Sequence, residues 1–128
     1  METKETKSSK EVVAITKYVR MSPSKARDLT RSIQGLPVAE AMGLTSVSRR
    51  KAAVLVGQTL KSALANAANN AGLDPDRLYV KEAVIQDGPR MKRHWPRARG
   101  MVSPIQRRLC HVRIVLSERA TSNRKRGR

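Results

Sequence analysis

The sequence has little of what most enzymes and membrane proteins require. Its 128 residues include three aromatic side chains, one cysteine and two histidines. A lone cysteine cannot form an internal disulfide, and with two histidines it falls short of a four-ligand structural zinc site. No apolar run reaches the length of a membrane span or of a signal peptide's apolar core. These absences predict a protein of a reducing compartment, either the cytoplasm or an organelle matrix, with no membrane association and no cofactor.

Catalytic patterns are missing as well. The ten acidic residues include no pair suited to general acid–base work, and there is neither a glycine-rich phosphate loop nor an HExxH motif. Asp74 and Asp76 flank a turn proline, which explains them structurally. Cys110 is expected to be a small core residue, and His111 to lie on a strand face beside Arg113. The sequence therefore predicts a protein that is not an enzyme.

Positive charge is what the chain has in excess. The formal net charge is +17, which places the chain among nucleic-acid binders. Residues 1–82 hold fourteen Lys and Arg against eight Asp and Glu, whereas residues 83–128 hold thirteen against two. The last third of the chain is thus expected to carry most of the binding.

Hydrophobic periodicity predicts one α+β domain over residues 11–118, between a disordered leader (1–10) and a basic disordered tail (119–128). A first strand, largely covered on both faces, is expected from Glu11 to Met21. Ser22 and Pro23 are typical of a helix start, with Ser22 as the capping side chain, and Gly35 ends that helix. Further elements are expected at 38–44 (helix), 49–70 (helix), 78–85 (strand) and 109–116 (strand). The residues expected to face the core at helical spacing include Ile33 in the first helix and Val56 and Leu60 in the third, and the alternation of the last strand places Val112 and Ile114 on one face.

The block from Gly88 to Gly100 is the most unusual stretch. It contains two prolines and no acid, and its cations are Arg90, Lys92, Arg93, Arg97 and Arg99. No core could take in these charges unpaired. Since strands flank the block, it is predicted to be the end of a long hairpin over about residues 83–105, turning near Arg93 to Trp95 and projecting by roughly 30 Å. A polyanion is the expected partner.

Other cations extend this predicted surface. Arg49, Arg50 and Lys51 lie at the N-terminus of the third predicted helix, where an anion would relieve their conflict with the helix dipole. Lys25, Arg27 and Arg31 lie off the apolar stripe of the first helix, where they either contact RNA or form a solvated face. Trp95 either stacks on a base or packs within the hairpin. The RNA-binding candidates are completed by Arg107, Arg108, His111 and Arg113.

Several blocks occur in an order that resembles the L-twenty-two family of large-subunit ribosomal proteins. The blocks are 20–27 (RMSPSKAR), 51–56 (KAAVLV), 60–67 (LKSALANA), 88–100 (GPRMKRHWPRARG) and 111–115 (HVRIV). The resemblance covers about residues 11–118, and its form is bacterial or organellar. Matching the family's motifs position by position implies RNA contacts at Ser22, Lys25, Arg27, Lys92, Arg93, Arg97 and Arg99.

The resemblance also implies a β-α-α-α-β-β fold with a three-stranded antiparallel sheet and a protruding hairpin. It implies binding to large-subunit ribosomal RNA beside neighbouring ribosomal proteins. The hairpin would line the nascent-peptide exit tunnel, exposing Met91, Lys92, Arg93 and His94 to a passing nascent peptide. No homo-oligomer is expected. The alternatives are a free nucleic-acid-binding regulator using the hairpin as a β-ribbon, and a nuclease, against which the missing acid cluster argues.

Overall fold

The computed structural model of this protein describes residues 10–119, so the predictions for residues 1–9 and 120–128 lie outside the described residues. The element order is β1 (Glu11–Val19), α1 (Pro23–Ile33), α2 (Val38–Val47), α3 (Lys51–Asn69), β2 (Leu78–Pro96) and β3 (Val102–Glu118), with short 3₁₀ turns at Pro75–Arg77 and Ala98–Gly100. This confirms the predicted α+β class and element order. The second helix runs three residues further than expected, because the Thr45 side chain is buried and donates to the Met42 carbonyl (2.9 Å).

The three strands form one antiparallel sheet in the order β1-β3-β2. The helices pack on the face of β3 that carries Cys110, Val112, Ile114 and Leu116, all fully buried in the core cluster. From α1 and α3 the predicted apolar stripes enter this core, including Ile33, Val56 and Leu60. Alanines at the contact, such as Ala63 and Ala67, let α3 lie close to the sheet. The core thus lies between the helices and one face of the sheet.

The prediction that β1 is largely covered on both faces is wrong. Ala14 and Val19 are buried, but Val13 is 40 % and Ile15 52 % exposed, since no element of the described chain covers the second face there. The pairing of β1 with β3 is interrupted between Thr16 and Val19, where two residues of β1 oppose one of β3. This bulge, with Tyr18 at φ 58°, returns Val19 to the core and ends the strand before Met21.

Beyond the body, β2 and β3 pair continuously as a ribbon. The last body pair is Asp87 with Cys110, and the ladder continues to Pro96 with Val102. The predicted turn near Arg93 to Trp95 is wrong: the chain reverses at Ala98–Gly100, where Arg99 (φ 60°) and Gly100 (φ 66°) adopt the left-handed conformation. That conformation comes at no steric cost for Gly100. The ribbon therefore extends nine residues past Asp87, or about 30 Å at 3.3 Å per residue.

The ribbon leaves the body at a bulge in β2 between Asp87 and Arg90. Gly88 lies within it, and a Cβ at this position would stand 2.9 Å from both the carbonyl carbon and the carbonyl oxygen of Leu109. A side chain cannot fit at that distance, so glycine permits the close approach of the two strands. The bulge therefore requires glycine at position 88.

Candidate nucleic-acid interface

A basic cleft lies where α1 begins and the ribbon leaves the body. Its volume is about 560 Å³, and its lining includes the cations Arg20, Lys25, Arg107 and Arg108 together with Ser22, Met91 and Gln106. The two walls come from segments some 80 residues apart in sequence. The cleft therefore gathers charges from the start of α1 and from β3, and it carries no acidic side chain in its lining.

The start of α1 contributes backbone as well as side chains. Pro23 occupies the first helical turn, as predicted, and Ser22 is at the N-cap position. The predicted side-chain cap is absent, however, because the Ser22 hydroxyl makes a hydrogen bond with Ser24 Oγ (3.1 Å) and not with a helix amide. A helix N-terminus without a side-chain cap has amide groups available to an anion.

A second hollow of about 410 Å³ adjoins the cleft and shares Met21 and Lys25 with it. Its other wall is the start of α3, where Arg50 is the N-cap residue and Lys51 the first helical residue. Lys51 Nζ donates to the Arg20 carbonyl (2.9 Å), which ties the two helix starts together. Asp28 also lines this hollow, so its positive charge is partly compensated.

Two predicted cations lie apart from these hollows. Arg49 is exposed just before α3 and is absent from both linings, and Arg31 is exposed in the last turn of α1, at the far end of the helix. The structure therefore brings together Lys25, Arg50, Lys51 and the ribbon base, but not Arg31.

Arg27 has a partner within the protein. Its Nη2 lies 3.1 Å from Asp87 Oδ1, and both side chains are partly exposed. Asp87 is the only acid from residue 83 to residue 117, and the pair joins α1 to the base of the ribbon. Arg27 is thus in place to hold the ribbon as well as to meet a phosphate.

The ribbon itself carries seven cations and no acid over residues 88–109. Arg90 is directly opposite Arg108 in the ladder, and like charges in that relation repel. Within residues 10–119, the only side-chain hydrogen bond of Arg90 is a 3.3 Å contact with the neutral Gln106. Lys92 and Arg93 follow on alternate faces, so both faces of the ribbon present positive charge.

The end of the ribbon holds the remaining candidates. Arg97 Nε donates to Ser103 Oγ (3.2 Å), and Arg99 lies in the turn. Trp95 is paired with Ser103 and remains 52 % exposed, so about half of its surface is free to stack. Met91 and His94 lie within β2 and not in the turn.

Arg113 and His111 lie elsewhere, on the sheet face opposite to the helices. Arg113 Nη1 is 3.8 Å from Glu82 Oε2. His111 Nδ1 accepts a hydrogen bond from the Tyr18 amide (3.0 Å), and the two rings meet edge to face at 5.1 Å. The structure therefore gives these two residues protein partners and does not bring them to the cleft.

Arg20 and Gln106 line the cleft although they are not among the predicted RNA-binding residues. Arg20 lies near the end of the first predicted strand and Gln106 is a neutral residue in a basic run, so the sequence pattern distinguishes neither residue from its neighbours. Only the approach of β3 to the start of α1 selects them. The position of Arg20 at the head of the block 20–27 is the one signal in the sequence that could have found it.

No group of His, Cys, Asp and Glu within residues 10–119 has the arrangement of a metal site. Among the helices of these residues none combines the length and the apolar character needed to cross a membrane. Cys110 is buried, and its burial raises the pKa of the thiol, so the group stays protonated and is a poor nucleophile.

Comparison with known proteins gives one consistent result. The family model of ribosomal protein L22p/L17e matches residues 14–117. The chain is 47 % identical over 113 residues to the large ribosomal subunit protein uL22 of Fervidobacterium nodosum, covering 88 % of this chain and 77 % of the relative. The uL22 proteins of Akkermansia muciniphila (46 % identical; 84 % and 96 % covered) and Clostridium tetani (47 % identical; 85 % and 98 % covered) are similar to the same extent.

Proposed function

Because this chain belongs to the ribosomal protein L22p/L17e family, we propose that it is a structural, non-enzymatic protein of the large ribosomal subunit that binds ribosomal RNA. The interface consists of the basic cleft and the ribbon. The observation that carries the proposal is the cross-strand apposition of Arg90 and Arg108 beside a cleft with no acid in its lining. Such an arrangement repels itself until an anion lies between or upon the charges.

The cleft supplies the contacts of the body. Arginine side chains such as Arg107 and Arg108 bind phosphate oxygens in a forked geometry, and Lys25 adds a point charge. Ser22 and the uncapped amides of α1 provide neutral donors at the same place. These groups recognise the backbone of RNA and not a base sequence, which suits a protein that is held at one place by the shape of a folded RNA.

The ribbon supplies the contacts away from the body. An isolated two-stranded ribbon is marginally stable in water, and this one has seven cations along about 30 Å. RNA on both sides would neutralise both faces and order the strands. Arg113 and His111 are left out of the proposed interface because their partners hold them on the opposite face of the sheet.

We further propose that the ribbon lines part of the nascent-peptide exit tunnel, as the family resemblance implies. The predicted tunnel-facing residues Met91 to His94 lie in β2, before the turn that begins at Ala98. Beyond the last pair of the ladder lie Arg97, Ala98, Arg99 and Gly100. Contact with a nascent peptide is therefore assigned to this turn together with the segment Met91 to His94 of β2. The protein acts as a single copy beside other ribosomal proteins, in the cytoplasm or in an organelle matrix.

Excision of the ribbon tests whether the ribbon contributes to RNA binding while the body folds without it. Asp87 and Cys110 are directly paired, so a two-residue Asn-Gly turn can replace residues 88–109. Every residue of the core cluster is retained. The shortened protein should unfold cooperatively near the temperature of the full chain, and its affinity for large-subunit ribosomal RNA should fall at least tenfold at 0.15 M salt.

A matched variant keeps the ribbon and removes charge from the cleft: Lys25→Gln with Arg107→Gln. Its RNA affinity should fall, and the slope of log affinity against log salt should decrease by about 1.4, that is about 0.7 for each lost phosphate contact on single-stranded RNA. If neither variant changes RNA binding, the proposed interface is wrong. Tighter binding to one duplex DNA sequence than to ribosomal RNA would favour the free regulator instead.

A further inference from the structure

The face of the sheet opposite to the helices is apolar where it meets β1. Val13 and Ile15 project from this face, 40 % and 52 % exposed, and Tyr18 joins them at 64 %. Directly paired residues share a face, so Val115 of β3 lies beside Val13. Three large apolar side chains thus form one exposed patch, which we call the β1 patch (Val13, Ile15 and Tyr18).

Two ion pairs flank the β1 patch, and the one cation within β1 itself is Lys17, which is exposed in the bulge. Glu11 forms an ion pair with Lys81 across β3, and Arg113 faces Glu82. His111 accepts a hydrogen bond at Nδ1 from the Tyr18 amide, which requires that this nitrogen carries no proton. In contrast to the cleft, this face has an acid for each of these two cations. A phosphate backbone gains little from such a surface.

Strand β1 also has an edge that no other strand of residues 10–119 occupies. In the order β1-β3-β2, the outer strands are β1 and β2. The body edge of β2 is occupied by the chain itself, because the Gly35 amide donates to the Val80 carbonyl (2.7 Å) and the Val80 amide to the Leu36 carbonyl (2.9 Å). Within residues 10–119, β1 pairs with β3 alone. Its nine residues include no proline, so the backbone can pair with a further strand.

We propose that β1 accepts an extended strand of a neighbouring protein, which continues the sheet and places alternate apolar side chains on Val13 and Ile15. Main-chain hydrogen bonds would supply much of the contact, and the β1 patch would set the register. The inference rests on the proposed function, since that function supplies an assembly in which a second protein lies nearby. A protein strand fits because the surface is apolar, because two of its nearby cations are already paired with acids, and because β1 has an outer edge that no strand within residues 10–119 occupies.

The small size of the β1 patch decides between a ribosomal neighbour and a second copy of this chain. A stable interface buries about 800 Å² on each partner, and three partly exposed side chains with one strand edge fall well short of that area. A free dimer is therefore not expected. Within an assembly, RNA holds both proteins in place and raises the effective concentration of the strand, so a weak contact is sufficient.

A photo-reactive side chain tests the proposal in assembled subunits. Large subunits are reconstituted with the full chain carrying p-benzoylphenylalanine in place of Ile15 or, as a control, in place of Lys92 on the ribbon. Irradiation should link position 15 to another ribosomal protein and position 92 to RNA. A link from position 15 to RNA, to a second copy of this chain, or to nothing would overturn the proposal.

Hydrogen exchange on the unmodified chain provides a second measurement, free of any effect of the probe on folding. The outward amides of β1 should exchange at least tenfold more slowly in the large subunit than in the free protein, whereas the amides of Val54 and its exposed neighbours on α3 should change less. Unchanged exchange in β1 would contradict strand addition. If the unmodified chain does not enter the subunit at all, the proposed function itself fails, which is a separate result.

Discussion

Arg27 and Asp87 form an ion pair of 3.1 Å that links the second turn of α1 to the last residue of β2 before the ribbon. Sixty residues separate the two partners. The pair places the one acid of residues 83–117 next to a candidate RNA-binding arginine. A phosphate that binds Arg27 therefore competes with the Asp87 carboxylate for the guanidinium group.

The competition can be measured with Asp87→Asn. Exposed ion pairs are worth about 0.2–1 kcal/mol, so freeing Arg27 should raise the affinity for large-subunit ribosomal RNA by a factor of about 1.4 to 5 at low salt. Titrations at several salt concentrations should also give a steeper salt dependence. Glu82→Gln is the matched control, because it frees Arg113 on the opposite face. Equal gains from both variants would show a general effect of net charge and no special role for Arg27.

Gly88→Ala should destabilise the protein by about 1–3 kcal/mol, because its Cβ would meet the Leu109 backbone at 2.9 Å. Gly43→Ala is the control: it lies inside α2, and a Cβ added there would meet nothing within 4 Å, so it should stabilise the protein by about 0.5–1 kcal/mol. Urea unfolding of both variants checks the prediction. A neutral result for Gly88→Ala would mean that the ribbon base rearranges without cost.

Ser117 has a buried hydroxyl for which the described residues supply no hydrogen-bond partner. Its removal in Ser117→Ala should leave the free energy of unfolding unchanged or raise it by up to about 1 kcal/mol, because an unpaired buried hydroxyl is costly.

Thr59 offers the opposite case, since its buried Oγ1 contacts Thr16 Oγ1 (2.8 Å) and the Leu55 carbonyl (3.1 Å). Thr59→Ala should cost about 1–2 kcal/mol, measured by the same unfolding curves.

The raised pKa of Cys110 gives stability a pH dependence of known sign. Burial is its main cause, Arg27 lowers the value and Asp87 raises it. Above about pH 8.5, where an unfolded thiol ionises, the native state binds more protons than the unfolded state. Stability therefore falls as pH rises through this range.

Unfolding curves from pH 7.5 to 10 check this sign by comparison of the wild type with Cys110→Ala. The difference in stability between them should shrink as pH rises, because the variant has no thiol to protonate. A difference that stays constant would show that the native thiol ionises as easily as the unfolded one.

Much of the fold follows from local pattern. The stripes of α1 and α3 and the alternation at Val112 and Ile114 predicted which residues enter the core, and they do. The errors occur where alternation is interrupted. Bulges at Lys17 and Tyr18 and at the ribbon base shift a strand by one residue, and such shifts depend on the opposing strand. The turn was misplaced for a related reason: the register of the ribbon is set by the pairing of Ile85 with Val112 in the body together with the one-residue shift between Asp87 and Arg90.

The class of partner follows from composition alone, because a net charge of +17 with no acid from residue 88 to residue 117 calls for a polyanion. The sequence also determined that the chain builds helices against a sheet, since 3.6- and 2-residue periods are local properties. Which cations are available to that partner depends on the folded chain. Arg108 is brought into a cleft while Arg113, five residues on, is paired with Glu82. Ion pairs and exposed faces arise from contacts between distant segments, and no local pattern contains them.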